Sequence, residues 1–302
     1  MATPSPPQSY NSFALPSLLF SHHPPTSPTV TPVIIISLNR PSARNAFNIE
    51  MAHSLITAFD LVSSDDRVRA VVLTSSDRSN RAFCFGMDFN DREKLPEKSE
   101  DHRDLGGRVS LAIYNCAKPV VAAINGSAVG VGITMTLAAN VRVASRDASV
   151  GFVFARRGII LEACSSFFLP RLVGTSKALH LVSSGAVYPA GHRLLSDLFS
   201  EVVAPDRVLE TALAIAQDMA VHVSPLASRI NKDLVYRAPD SPEEAHLLES
   251  KILHALFCGP DFREGISSFL EKRRPDFQAT ADDAPASYPW WTPVDIRVKP
   301  KL

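Results

Sequence analysis

The sequence predicts a mixed α/β body followed by a helical C-terminal part, and three observations carry that prediction. The run Val33-Ile34-Ile35-Ile36-Ser37-Leu38 is β-branched and almost continuously apolar, the pattern of a strand covered on both faces. Between about residues 69 and 182, apolar runs of strand length alternate with segments of helical period. After about Asp206 only the helical period remains.

Taken in order, residues 1–11 are rich in Pro, Ser and Gln without periodic apolar positions, and are expected to be disordered. Phe13–Ser21 is apolar enough for a strand, and a Pro-rich connection leads from it to the Val33–Leu38 strand. Asn48 is placed to cap a helix that carries Met51, Leu55, Ile56, Phe59 and Val62 at helical spacing. Strands follow at Arg69–Thr74, Val120–Ile124 and Val141–Ala144, with helices opening near Gly130 and covering Glu162–Leu172 and Ser176–Val182. The closing helices span 207–221, 225–236, 242–257 and 261–272. The expected organisation is a tail over 1–11, an α/β core over 12–205, a helical region over 206–278 and an extension over 279–302. No short repeat of the solenoid kind is present.

Composition excludes several function classes. Lys plus Arg total 31 and Asp plus Glu total 31, and there is no long basic run, so nothing favours a nucleic-acid partner. Cys84, Cys116, Cys164 and Cys258 are widely spaced, which suits reduced thiols rather than a disulfide framework or a zinc site. The nine histidines form no HExxH or similar set, and no metal is expected. No apolar stretch approaches the roughly 20 residues of a membrane span. The first 32 residues hold eight prolines and no charged side chain, which argues against Arg-rich or basic leader peptides.

Two glycine-containing segments deserve comparison with thioester chemistry: Ala82-Phe83-Cys84-Phe85-Gly86-Met87-Asp88-Phe89 and Asn125-Gly126-Ser127-Ala128-Val129-Gly130-Val131-Gly132. An enolate formed from a thioester needs two converging N–H donors, and glycine permits the turns that aim them. By spacing alone the second segment is equally a tight turn or a poor nucleotide loop.

The ordered segments Leu38-Asn39-Arg40-Pro41 with Arg44-Asn45-Ala46-Phe47, Arg81 through Asp88, Lys118 through Gly126, Leu169 through Gly174, and Phe269-Leu270-Glu271-Lys272-Arg273 with Pro275 and Phe277 resemble the crotonase (enoyl-CoA hydratase/isomerase) family. The resemblance covers roughly residues 33–278. It implies a spiral of ββα turns, a C-terminal helical region that builds homotrimers or homohexamers, and coenzyme A as the substrate's acyl carrier with no permanently bound cofactor. It places the oxyanion N–H donors at Met87 and at Val131, where the family usually has Gly. Ala43 and Arg44 fall where the coenzyme's adenine and phosphates pass, with Phe85 and Asp88 beside them. For Arg44 a solvated loop charge is the alternative, and for Asp88 a cap of the following turn.

The hydratase carboxylates of the family fall at Thr134 and Phe154, so both are missing. Instead Gly158 through Ser166 is similar to the stretch of Δ3,Δ2-enoyl-CoA isomerases in which one Glu at a helix start is the base, and Glu162 holds that place. Flanked by Ile160, Leu161 and Ala163, its carboxyl group is expected to have a raised pKa. An ordinary helix N-terminal Glu is the alternative. Ser165 and Ser166 lack a GxSxG elbow. The implied activity is a double-bond shift in an enoyl-CoA. Hydration is the alternative, with Thr134 orienting a water, and a catalytically silent binding subunit is the second. The sequence also resembles hydratase/isomerase-like proteins of fungal host-selective toxin pathways, which implies a polyunsaturated acyl-CoA substrate.

The chain stops at Pro300-Lys301-Leu302, a near variant of the small-basic-leucine signal read by the peroxisomal import receptor, with cytosol as the alternative location. A reporter carrying these terminal residues is expected to enter peroxisomes of the native host, and one lacking Leu302 to stay cytosolic. Diffuse fluorescence from the intact tail would remove the assignment.

Overall fold

The computed structural model describes residues 5–91, 95–96 and 98–296. In chain order the elements are β1 (Ala14–Leu15), β2 (Leu18–His23), β3 (Val33–Leu38), α1 (Ile49–Ser64), β4 (Ala70–Ser75), β5 (Ala82–Cys84), α2 (Leu105–Asn115), β6 (Val120–Ile124), β7 (Ser127–Val129) and α3 (Val131–Thr134). They continue with β8 (Val141–Ser145), β9 (Ser149–Gly151), α4 (Ser165–Val173), α5 (Thr175–Ser184), β10 (Val187–Pro189) and β11 (Glu201–Val203), then α6 (Val208–His222), α7 (Pro225–Arg237), α8 (Pro242–Phe257) and α9 (Pro260–Glu271).

Two sheets result. The larger has the order β1-β2-β3-β4-β6-β8-β11, antiparallel up to β3 and parallel from there on; the smaller has the order β10-β9-β7-β5. Each turn of the chain lays one strand in each sheet and closes with a helix: β4-β5-α2, β6-β7-α3, β8-β9-α4. This is the ββα spiral of the crotonase fold.

The large sheet is buried on both faces, which explains the unbroken apolar runs. Ile34, Ile36, Val71, Leu73, Val120 and Ala122 face the main core with α1, α2 and the small sheet. Their neighbours Val33, Ile35, Ala70, Val72, Val121 and Ala123 face α6 through Val208, Ala212, Ala216 and Ala220. Each fully buried Val or Ile contributes roughly 1.5–3 kcal/mol. The first helix beyond residue 206 is therefore a wall of the α/β body, and the boundary expected there does not separate two packing units. Asn48 caps α1 as expected, its side chain accepting from Met51 N–H. Among the described residues no helix is long and apolar enough to cross a membrane.

Two expectations need correction. The Phe13–Ser21 strand is a hairpin, β1 and β2, with Ser17 at φ 63° between them. The tail expected over 1–11 ends in a fixed residue: Tyr10 is fully buried, its N–H donates to His22 Nε2 at 3.0 Å and its hydroxyl to Asp65 Oδ2 at 3.1 Å. The extension expected over 279–302 is docked where described, with Trp290 Nε1 donating to Arg237 O and the Tyr288 hydroxyl to Asp233. The terminal tripeptide lies outside the described residues.

Replacing Tyr10 by Ala is expected to destabilise the protein by about 3–5 kcal/mol, as for other large buried rings. Urea unfolding measures this, and a loss under about 1 kcal/mol would mean the segment is not part of the core.

Candidate active site

The site begins with the pairing of two three-residue strands. β5 lies parallel to β7, with Ala82 opposite Ser127 and Cys84 opposite Ala128, so the turns that follow both strands emerge side by side. Gly86 at φ +93° and Gly130 at φ +57° form those turns, in backbone regions that side chains disfavour. A Cβ built on Gly130 would lie 3.9 Å from Gly86 Cα, which shows how near the two turns are.

The backbone N–H groups of Met87 and Val131 stand in these two turns. Phe47 bridges the first turn, its N–H donating to Gly86 O at 2.7 Å and its carbonyl accepting from Asp88 N–H at 2.8 Å. In such a parallel bridge the middle residue, Met87, turns its own N–H to the other side. Val131 opens α3, and the first N–H groups of a helix have no partner within it. Both residues line a cavity of 520 Å³ whose apolar wall includes Phe47, Ile49, Leu105, Ile159 and Ile160.

Glu162 stands on the same cavity. Its Oε1 accepts from the Thr134 hydroxyl at 2.5 Å, and its Oε2 faces Gly106 in the first turn of α2, where a built Cβ would come within 2.0 Å. That Cβ would also meet Val131 Cγ2 at 3.2 Å, so Gly106 makes room both for the carboxylate and for the valine that replaces the usual glycine. Burial pushes the Glu162 carboxyl from 4.5 up to about 7; the Thr134 hydrogen bond opposes the rise and the Asp104 carboxylate adds to it. An acid of this kind can hold or release a proton near neutrality.

The expected helix start at Glu162 is corrected. α4 begins at Ser165, because Ala163 and Cys164 both take φ 55° and break the helix before it. Ser165 serves this turn: its hydroxyl donates to Glu162 O at 2.5 Å. At the positions of the two absent carboxylates stand Thr134, which binds Glu162, and Phe154, a buried ring near Gly130.

Of the remaining expected residues, Arg44 and Phe85 meet, the Arg44 carbonyl accepting from Phe85 N–H at 3.3 Å. The Arg44 guanidinium lies 5.3 Å from the Phe85 ring centroid, and Ala43 precedes it in a single 3-10 turn. Phe85 is joined to Met87 through Gly86. Asp88 takes the capping alternative: its carboxylate pairs with Arg40 at 3.0 Å and accepts from Asn90 N–H at 3.1 Å, and these hydrogen bonds, the Arg40 one foremost, lower its pKa. Its carboxylate thus secures the loop. Asn45, buried at φ 52°, accepts from Arg40 N–H and donates to Ser75 Oγ and Phe83 O, tying this loop to β4 and β5.

Sequence reasoning passed over α2 and its cap. Asp104 lines the cavity, and its Oδ1 accepts from Gly107 N–H at 2.5 Å and from Ala163 N–H at 3.3 Å. The available signal was an Asp immediately before Leu105, with Val109 and Ile113 following at helical spacing. Among the described residues no group of three or more His, Cys, Asp or Glu is arranged to hold a metal.

The family profile described as enoyl-CoA hydratase/isomerase matches residues 29–280. The chain is 47% identical over 255 residues to enoyl-CoA hydratase AFT3-1 of Alternaria alternata, covering 84% of this chain and 85% of that one. It is 31% identical over 254 residues to 1,2-epoxyphenylacetyl-CoA isomerase of Escherichia coli, covering 81% and 94% of the two chains. The crystal structure of enoyl-CoA hydratase from Bacillus anthracis superposes with a TM-score of 0.77 at 27% identity, over 86% of this chain and 98% of that one.

The raised carboxyl makes a stability test available. Below pH 4.5 Glu162 is protonated whether the chain is folded or not, but between 4.5 and about 7 only the unfolded chain gives up the proton. Stability therefore falls as pH rises through that window and stays reduced above it. Glu162→Gln should match the native protein in urea unfolding at pH 4 and exceed it by about 1–3 kcal/mol at pH 8. Equal stability at pH 8 would show that Glu162 titrates normally.

Proposed function

Because the chain belongs to the enoyl-CoA hydratase/isomerase family, whose members act on coenzyme A thioesters, we propose that it moves the double bond of a 3-enoyl-CoA to the 2-position. In this reading Glu162 takes a proton from C2, and the electron pair left behind delocalises into the thioester oxygen to give a dienolate. The N–H groups of Met87 and Val131 hold that oxygen. Glu162 then returns the proton to C4, the pair reforms a double bond between C2 and C3, and no other reactant is needed.

The observation that carries this reading is the occupancy of the two other acid positions. Thr134 donates to Glu162, and Phe154 offers a buried ring, so one carboxylate serves where hydration ordinarily employs two. A 1,3 proton shift requires one group able to carry a proton both ways, and a carboxyl near neutrality suits that. Val131 does not argue for a silent binding subunit, because its isopropyl group has space over Gly106 and its backbone N–H is unchanged.

Hydration is the second reading. The relative at 47% identity is named a hydratase, and Asp104 adds a carboxylate to the cavity wall. The wider proposals follow the family. Ala43, Arg44 and Phe85 carry the coenzyme. A homotrimer or homohexamer forms through the C-terminal helices, where Leu247, Phe269 and Leu270 are at least 70% exposed. The toxin-pathway resemblance of the sequence favours a polyunsaturated acyl-CoA of fungal secondary metabolism as substrate, and the terminus Pro300-Lys301-Leu302 favours a peroxisome entered through the import receptor.

Glu162→Gln is expected to lower kcat for 3-enoyl-CoA isomerisation by about 10²-fold or more, the typical loss of a positioned base, with KM little changed. Thr134→Ala should cost far less in isomerisation. Both variants are assayed with 3-enoyl-CoA and with 2-enoyl-CoA plus water. Full isomerisation by Glu162→Gln would remove Glu162 from the mechanism, and efficient hydration that collapses in Thr134→Ala would establish the second reading.

A further inference from the structure

We infer that Asp104 is a positioning residue: by binding the backbone N–H beyond Glu162 and standing next to its carboxylate, it fixes where Glu162 sits and when it holds its proton. The inference rests on the reading of Glu162 as the base and adds the group that governs it.

The geometry begins with a backbone that would not hold itself. Ala163 and Cys164 are consecutive non-glycine residues at φ 55°, a conformation that costs energy at each and persists only when its surroundings impose it. Two contacts impose it here. Ser165 Oγ and N–H both bind Glu162 O from the C-terminal side, and Asp104 Oδ1 accepts Ala163 N–H from across the cavity. The same Oδ1 accepts Gly107 N–H as the cap of α2. One oxygen therefore joins the strained turn to the first turn of α2, the turn whose Gly106 bounds Glu162 Oε2. The carboxylate of Glu162 is located between Thr134 on one side and α2 on the other, and Asp104 ties α2 to the turn that follows Glu162.

Charge is the second link. The groups around Glu162 are Asp104, His102 and Asp91 on the cavity wall, the Cys84 thiol on β5 and the Cys164 thiol on its own turn. No Lys or Arg lines the cavity among the described residues. The negative charge of Asp104 favours the protonated form of Glu162, in the direction already given by burial.

Two substitutions separate these effects from the capping of α2. Asp104→Ser keeps a strong N-cap but is one bond too short to reach Ala163 as well, and it removes the charge. Asp104→Asn keeps both acceptor contacts and removes only the charge. The Glu162 titration is followed in the full chain without substrate by 13C NMR of labelled Glu side chains, the signal being identified by its loss in Glu162→Gln. We expect the Glu162 midpoint to move to lower pH in Asp104→Asn. We expect Asp104→Ser to unfold at the native Tm yet lose kcat about tenfold or more, as small misplacements of reacting groups do, with KM within about threefold. Asp104→Asn should recover most of that kcat above pH 8, and the acid limb of its rate profile should shift down with the NMR midpoint. An unmoved midpoint in Asp104→Asn, or native kcat in Asp104→Ser, overturns the inference. Should Glu162→Gln remain fully active, the base reading falls while the NMR midpoints still decide whether Asp104 governs Glu162.

Discussion

The parallel pairing of β5 with β7 is the constraint on which the site depends. Both strands are three residues long and bring little stability of their own, yet their register puts Gly86 beside Gly130 and so sets two backbone donors on one cavity. The chain secures that pairing from outside. Asn45 reaches from the loop before α1 to Phe83 O and Ser75 Oγ, and Asp77 accepts N–H groups at Arg81 and Ala82 where β5 begins. A donor pair built from backbone on buried strands keeps its direction when side chains vary, which is why a valine can stand at position 131.

The acid side of the site is built on the opposite principle. Glu162 hangs from a strained turn and depends on contacts with Thr134, Ser165, Asp104 and Gly106, contributed by three separate stretches of chain. The same energy that weakens the fold above neutrality gives the carboxyl a useful proton affinity.

The C-terminal segment bears on this arrangement through α2. Arg237, at the end of α7, stacks over both Tyr114 of α2 and Trp291, fixing the extension to the far end of that helix. Farther along, Ile296 O accepts from Arg103 Nε at 2.5 Å, immediately before Asp104. The extension is thus linked to the segment before α2 through Arg103 and, by way of Arg237, to Tyr114 near the end of that helix.

The long elements were legible because their causes are local. The Val33–Leu38 run, the cap at Asn48 and the helical periods of 242–257 each contain their own explanation, and the structure places all three as the sequence alone led us to expect. Glu162, Met87 and Val131 were legible by resemblance, and they meet on one cavity. What the sequence could not supply was anything requiring a distant partner. Strands β5, β7 and β9 are too short for periodicity and exist through pairing. Helix α2 opens with Leu105-Gly106-Gly107, a poor helix start by propensity that only its cap and packing make helical. Tyr10 belongs to the core because His22 and Asp65 meet it there, from 12 and 55 residues away. The turn after Glu162 has the same origin: no local preference puts two non-glycine residues in left-handed backbone, and besides the local bonds of Ser165 to Glu162 O it is met by a tertiary contact from Asp104 to Ala163, 59 residues apart.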